Sequence, residues 1–182
     1  MAVIALAVFG VVTLLGIGLF IAWGYKRVPA DKVLVVYGWT GGEGSAVLAH
    51  PGGGYLVRPI IQGHAWLNLT PLRVPLDGHE LRCADGAFVG ARGHVVTQIS
   101  IEPSLTQRAA ERLLNRGHDE IGQLVLEICV AQLRETTMGL SAADAVEPDL
   151  GKRVRAELED ALGLIGLEIT SLSLSVVPVA DR

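Results

Sequence analysis

The sequence predicts an α+β domain that follows a single N-terminal transmembrane helix. Three observations carry this prediction: a long uncharged segment at the N-terminus, a first half of short β-branched runs separated by glycines, and a second half with helical periodicity that closes with an alternating strand. The chain has 182 residues, which leaves room for about one domain of ordinary size beside the helix.

Composition and charge exclude several classes of protein. Hydrophobic residues make up 50% of the chain, charged residues 19%, and the mean hydropathy is +0.43, so the chain is too apolar for a disordered scaffold. A net charge of −4 lacks the positive excess of a phosphate-binding surface, so we expect no nucleic-acid partner. The two cysteines, Cys83 and Cys129, form no CxxC motif, which is typical of a reducing compartment rather than a disulfide framework.

The N-terminal segment predicts a membrane anchor over residues 1–25. The run from Ala2 to Trp23 contains no charge, and as a helix it would extend roughly 33 Å, enough for a bilayer core. Lys26, Arg27 and Lys32 follow it, and such an excess of basic residues marks the cytoplasmic side of a cell membrane. The alternative is a cleaved signal peptide, which would carry its positive charge before a shorter apolar region.

Residues 28–102 predict a mostly antiparallel β-sheet. Glycine-rich or Asp-Gly turns at Gly41–Gly44, Pro51–Gly54 and Asp85-Gly86 separate its β-branched or alternating runs. The predicted strands are Val33–Tyr37, Ser45–Leu48, Tyr55–Val57, Ala65–Leu69, Arg73–Leu76, Glu80–Cys83 and Phe88–Ile101.

Residues 103–182 change to helical periodicity and then return to a strand. Ser104 is the predicted N-cap of the first helix, with Gln107 as its capping-box partner. The second and third helices are predicted at about Asp119 to Thr137 and Leu150 to Leu162. The final strand begins at Leu167, and its alternation slips between Thr170 and Ser171, which predicts a β-bulge or a change of the buried face.

Several segments, taken in order, resemble a known family. After the single span, Val28–Gly38, Gly52–Gly54 and Arg58–Gln62 look like the opening of flotillin-type SPFH (band 7) proteins. The resemblance covers about residues 26–177 and continues through Asp85-Gly86, Ala109–Leu114, Leu133-Arg134, Thr137–Ala143 and Gly166–Ser171. It implies a fold of residues 26–182 as one SPFH domain, and a scaffold of the stomatin, prohibitin and flotillin kind rather than an enzyme, with no cofactor.

The resemblance also implies partners. Such proteins attach to the lipid bilayer, form large homo-oligomers and organise membrane microdomains or bind membrane proteases. This chain ends at Arg182 without the long Ala/Glu-rich helix that drives assembly, and Val146–Asp149 lacks an Asp-Arg pair often found there. The expectation from the resemblance is a laterally self-associating scaffold, although the missing helix favours an adaptor instead. The alternatives are an adaptor or regulator of a membrane protease, or of another membrane complex, without large assembly, and an exported domain released from a signal peptide.

The sequence predicts no catalytic residue and no metal-binding residue. His79 and Cys83 have a metal-like spacing, but on a strand they would lie about 13 Å apart, too far to share an ion. The glycine-rich segments lack the Gly-Lys-Ser/Thr ending of a phosphate loop, and no serine sits in GxSxG. Cys129 falls in a buried helical stripe, where a thiol behaves as a small apolar group.

Two sets of residues are candidate contact sites. The membrane-contact set combines interface aromatics with basic residues after the anchor and a tryptophan in a glycine-rich turn. Its members are Trp23, Tyr25, Lys26, Arg27 and Trp39. For Ile60, Ile61 and Trp66, membrane contact and an ordinary core role are equally expected. The second set, Arg108, Arg112 and Arg116, recurs every fourth residue and predicts a basic ridge on the first helix, either a solvated face or a contact with lipid headgroups or an acidic neighbour.

Overall fold

The computed structural model describes residues 2–39, 46–58, 60–147 and 150–178, and it contains two compact units, Met1–Asn68 and Leu69–Arg182. The first unit consists of α1 (Ala2–Gly24), β1 (Tyr25–Arg27), β2 (Lys32–Gly38), β3 (Ala46–Ala49), β4 (Gly54–Leu56) and β5 (Gln62–Asn68). The second unit consists of β6 (Leu72–Pro75), β7 (His79–Arg82), β8 (Phe88–Ile99), α2 (Pro103–Leu113), α3 (His118–Met138), α4 (Ala142–Ala145), α5 (Leu150–Gly163) and β9 (Leu167–Pro178). The predicted α+β fold is confirmed.

In the first unit, the uncharged helix α1 joins a strand without a linker. Strand β1 starts at Tyr25, directly after the helix, and pairs antiparallel with β4. The amide of Val57, just after β4, donates to the carbonyl of Gly24 at 2.9 Å. A Cβ on Gly24 would lie 2.6 Å from the carbonyl oxygen of Val57, so only glycine allows this approach. The helix end is therefore fixed to the sheet.

The main sheet of the first unit has the order β3-β2-β5, with both pairings antiparallel. Its central strand is the β-branched run predicted from the sequence, and the four residues Val33–Val36 are all buried. Leu34 and Val36 pack with Val28 and Val57 into one apolar cluster. The turn at Gly52, where φ is +79°, is tied to the start of the domain because its amide donates to the carbonyl of Val28 at 3.2 Å.

The second unit is built around β8. One edge of this strand pairs with β6 and β7, and the other pairs along its whole length with β9. The β8–β9 register shifts so that Val96 pairs with Ser171 and Thr97 pairs with Ile169. Thr170 is the extra residue, so the bulge predicted from the slip in alternation is confirmed.

The helices of the second unit cover one face of its sheet. Alternate residues of β8, among them Val89, Val95 and Thr97, are fully buried, while α3 packs on β6, β7 and α5, and α5 packs on β9. The predicted helical stripes are confirmed by the buried residues Ala109, Leu113, Val125, Cys129, Leu133, Leu150, Val154, Leu158 and Leu162. This unit therefore has an ordinary, helix-covered core.

Two local predictions for the first helix of the second unit are wrong. Glu102, not Ser104, is the N-cap, because Pro103 occupies the first helical position, where its fixed φ suits the helix. The Ser104 hydroxyl instead donates to the Glu102 carboxylate at 3.1 Å, and the Gln107 amide donates to Glu111, so no capping box forms. The structure adds strand β1, which the sequence does not predict because Tyr25–Arg27 has no β-branched residue and follows directly on the apolar segment.

Candidate membrane-interface site

The residues predicted to flank the anchor lie on two different elements. Trp23 lies in the last turn of α1 and is 71% exposed. Tyr25, Lys26 and Arg27 form strand β1, where Tyr25 and Arg27 are exposed and Lys26 is half-buried. Because the strand pairs with β4, these side chains are held at a fixed position beside the helix end. Aromatic and basic side chains together suit a lipid headgroup region.

A second group of exposed apolar side chains, here named the apolar tip, consists of Trp39, Ile60 and Ile61. Their exposures are 72%, 83% and 40%. The amide of Trp39 donates to the carbonyl of Ile61 at 3.2 Å, so the two chain segments lie side by side at one end of the β2–β5 pair. A core role for Ile60, one of two roles expected from the sequence, is wrong.

Gln62 holds the apolar tip in shape. Its side chain is 8% exposed, its amide donates to the carbonyl of Trp39 at 3.1 Å, and its side-chain oxygen accepts from the amide of Arg58 at 2.8 Å. Gly38, the last residue of β2, has a φ of +105°, and a Cβ there would lie 2.7 Å from the carbonyl oxygen of Ile61. Only glycine therefore fits at this end of the strand. The tip is thus an ordered surface whose apolar side chains point into solvent.

The apolar tip lies close to the end of the anchor. Val57 is hydrogen-bonded to Gly24. Ile60 follows Val57 by three residues, so the Cα atoms of Val57 and Ile60 are at most roughly 11 Å apart. The exposed Arg58 lies between them. The chain therefore keeps Ile60 within roughly 11 Å of Val57, the residue hydrogen-bonded to the end of α1, which the sequence spacing alone could not show.

The predicted basic ridge is only partly formed. Arg108 and Arg112 are exposed on α2, but that helix ends at Leu113, and Asn115 adopts a positive φ of 67° before Arg116. Arg116 therefore lies on the following turn, and the expectation of three arginines on one helix is wrong. Arg108 also donates to the carbonyl of Gly163 at 3.4 Å, at the end of α5.

A polar junction in the second unit joins the β7–β8 turn to α4. One carboxylate oxygen of Asp85 accepts from the amide of Ala142 at 2.9 Å, and the other accepts from the amide of Ala87 at 3.1 Å. These backbone donors, Ala142 first, hold the pKa of Asp85 below its usual value. The amide of Ala84 also donates to the carbonyl of Leu140 at 2.9 Å, so the junction is structural.

The cysteines and histidines form no site in the described residues. Burial raises the pKa of the Cys129 thiol to about 11, and burial, followed by the charge of Asp85, raises that of Cys83. Across the ranges that the structure describes, no three His, Cys, Asp or Glu side chains are grouped to hold a metal ion. The Gly41–Gly44 segment lies outside the described residues.

Fold and site together define a class of protein: a membrane-associated α+β domain that follows directly on one apolar helix. The segment Leu6–Gly24 has a mean hydropathy of 2.4, and its length and composition suffice to cross a membrane, as a signal sequence's would. The SPFH domain / Band 7 family matches residues 26–181, so the chain belongs to that family. Its members are generally membrane-associated, scaffold-like proteins without enzymatic activity. No curated protein matches the chain significantly.

Proposed function

We propose that this protein is a flotillin-like scaffold of the cell membrane, which self-associates laterally and organises membrane microdomains or partner proteins. The observation that supports it best is the apolar tip, held beside the end of a helix of membrane-spanning length. Three large apolar side chains exposed together would be unfavourable in water and favourable at a bilayer surface. The domain after Tyr25 faces the cytoplasm, because basic residues follow the helix.

The proposed mechanism has three parts. α1 crosses the bilayer, and Trp39, Ile60 and Ile61 enter the headgroup region of the same leaflet. Arg27 and Arg58, exposed nearby, attract anionic lipids. The α1 helix and the apolar tip together hold the first unit at the membrane surface in one orientation. Confinement to two dimensions then raises the effective concentration of neighbouring copies, so that weak lateral contacts suffice for assembly.

The position of the apolar tip is tested with the protein's own fluorescence. The chain has three tryptophans, Trp23, Trp39 and Trp66, so single-tryptophan variants in liposomes isolate each one. Lipids brominated near the headgroup should quench Trp39 strongly. Trp66, which is 39% exposed on β5 and lies with its ring perpendicular to that of His64, is the matched control and should be quenched less. Equal quenching of Trp39 and Trp66 would contradict membrane contact by the tip.

Self-association is tested by the native mass of the full chain in a mild detergent. A particle of many 19.3 kDa subunits supports the scaffold. A monomer or small oligomer supports the alternative, an adaptor or regulator of a membrane protease or of another membrane complex. The basic residues Arg108, Arg112 and Arg116 are proposed to contact lipid or an acidic neighbour. Unchanged liposome binding and particle size after their replacement by alanine would exclude that role.

A further inference from the structure

The outer edge of β9 is a sheet edge of the second unit without a strand partner among the described residues. Among the strands in the described part of the chain, only β8 pairs with β9, so the other edge of this strand has no strand partner. From Ser171 to Val177 the edge contains no charge, no glycine and no proline. Proteins usually protect such an edge with charges, prolines or short strands.

The opposite edge of the same sheet shows that protection. Strands β6 and β7 have four residues each, β6 ends in Pro75, and β7 carries Glu80 and Arg82. Strand β9 has twelve residues and, from Ser171 to Val176, alternates serine with leucine or valine. The β6–β7 edge therefore has features that oppose pairing with another strand, and the β9 edge lacks them from Ser171 to Val177.

The helix layer also leaves β9 partly uncovered. On the helix-facing side, Val95 and Ala91 of β8 are buried, whereas Leu172 and Val176, their β9 partners, are only half-buried. Beside this edge lies the β9 notch, a concavity of about 250 Å³ lined by Val146, Leu150, Leu174 and Val176, among others. Val146 is 44% exposed. An added strand would cover these apolar side chains while it pairs with the backbone.

We propose that β9 pairs antiparallel with β9 of a second copy of this chain, about a two-fold axis near Leu174. In that register Leu174 faces itself and Leu172 faces Val176, so the helix-facing sides of both copies carry apolar pairs. On the other side Ser173 faces Ser175. With no charge in this stretch, self-pairing opposes no like charges. The inference rests on the proposed self-association and names the surface that joins two copies. A two-fold contact closes at a dimer, so larger assembly needs a further contact.

Charge substitution at the edge is the first test. Ser173 and Ser175 are exposed, and the change Ser173→Lys with Ser175→Lys places lysines opposite lysines in the paired strands. We expect self-association of the full chain in detergent to weaken roughly tenfold or more. A chain with Glu at both positions should weaken equally, and co-expression of the two variants should restore pairing. Gln123→Lys with Ala131→Lys, on the exposed face of α3, is the charge-matched control.

Cysteine cross-linking is the second test, since it does not depend on a loss of function. In the paired register, the variant Ser173→Cys with Ser175→Cys brings thiols of two copies within disulfide distance. The control, Arg92→Cys with His94→Cys, places the thiols on β8, on the same face of the sheet and directly beside positions 175 and 173. In the same pairing, the β8 strands of the two copies lie about 14 Å apart, too far for a disulfide. Covalent dimers from the β9 variant alone are expected. The native cysteines are buried and stay in both variants.

The outcomes separate the two proposals. If the unmodified chain is monomeric at all concentrations, the proposed self-association fails, and this inference with it. If the unmodified chain assembles while the lysine variant keeps the same mass and the β9 cysteines cross-link no more than the β8 control, only the β9 interface is overturned. Loss of assembly in the lysine variant, restored by the glutamate partner, supports both.

Discussion

The two units of this molecule differ in which apolar side chains form their cores. In the second unit, leucines are fully buried: Leu81, Leu113, Leu133, Leu158 and Leu162 are all at most 1% exposed. In the first unit, the buried cluster consists mainly of valines, while Trp39 and Ile60 are 72% and 83% exposed. The first unit therefore builds its core mainly from valines, with Leu34 and Leu67, and exposes Trp39 and Ile60. The second unit fully buries several leucines, although it also exposes Ile101 and Leu164.

The proposed membrane contact of the first unit accounts for this difference. Removal of a leucine side chain from water stabilises a folded protein by about 1.5–3 kcal/mol, and the buried leucines of the second unit contribute in this way. A surface that exposes several large apolar side chains in an ordered arrangement marks an interaction site or a membrane contact. In the first unit these side chains lie near the end of α1, whose own described side chains are all exposed from Ile4 to Trp23. The comparison supports the proposed membrane contact.

The largest expected effect separates the two units directly. Leu158→Ala removes a fully buried side chain of α5 and should destabilise the protein by about 2–5 kcal/mol. Ile60→Ala removes an exposed side chain and should leave the free energy of unfolding within about 0.5 kcal/mol. Thermal unfolding in detergent, followed by circular dichroism, measures both. Equal destabilisation by the two variants would show that Ile60 is part of a core and would break the comparison.

A smaller effect concerns the junction between the anchor and the first unit. In Gly24→Leu, the new Cβ would meet the backbone of Val57, which cannot move aside as a side chain does. We expect a loss of about 1–3 kcal/mol and faster hydrogen exchange at the Val57 amide, whose bond to Gly24 breaks. Gly18→Leu, in the same helix with nothing within 4 Å, is the control and should change neither. Unaltered exchange at Val57 in Gly24→Leu would contradict the fixed junction.

Much of the fold could be predicted because its signals are local. The β-branched run at Val33–Val36, the 3.6-residue stripes of α3 and α5, and the slip at Thr170 each depend on residues close in sequence. The observed helix ends differ from the predicted ones by about one residue at α3 and α5. The resemblance to the family also depends on short local segments that follow one another in the expected sequence order, and the family matches residues 26–181.

The candidate site was less predictable because it depends on contacts distant in sequence. Trp39 meets Ile61 through an amide-to-carbonyl bond and through Gln62, a polar residue that the sequence places next to two isoleucines without indicating that it is buried. The position of Gly24 between an apolar helix and a basic strand was the available signal for the junction. For Arg116, spacing suggested the helix, but the backbone conformation of Asn115 decided otherwise.

A buried polar side chain in the core of the second unit is the next position to test. Thr97 is fully buried on β8 beside the bulge, and its hydroxyl has no hydrogen-bond partner among the residues described. Because an unpaired buried hydroxyl is unfavourable, Thr97→Val should raise stability by about 1 kcal/mol. A rise in the denaturant midpoint with an unchanged slope measures this gain. Destabilisation by Thr97→Val would indicate that the hydroxyl is in fact paired.

The smallest effect is expected at the polar junction of the second unit. Two backbone amides lower the pKa of Asp85, so its folded pKa lies below its unfolded value of about 3.9. The charged carboxylate therefore stabilises the protein above that value, and the contribution disappears as the pH falls through the folded pKa. Asp85→Asn should lower the melting temperature slightly at pH 7, and the difference from the unmodified chain should be smaller at pH 3, because the charged carboxylate loses its contribution as the pH falls below the unfolded pKa. Glu127→Gln, an exposed change of equal charge on α3, should leave the melting temperature nearly unchanged at pH 7. A difference for Asp85→Asn that is the same at both pH values would show that the carboxylate's charge plays no part in holding the β7–β8 turn to α4.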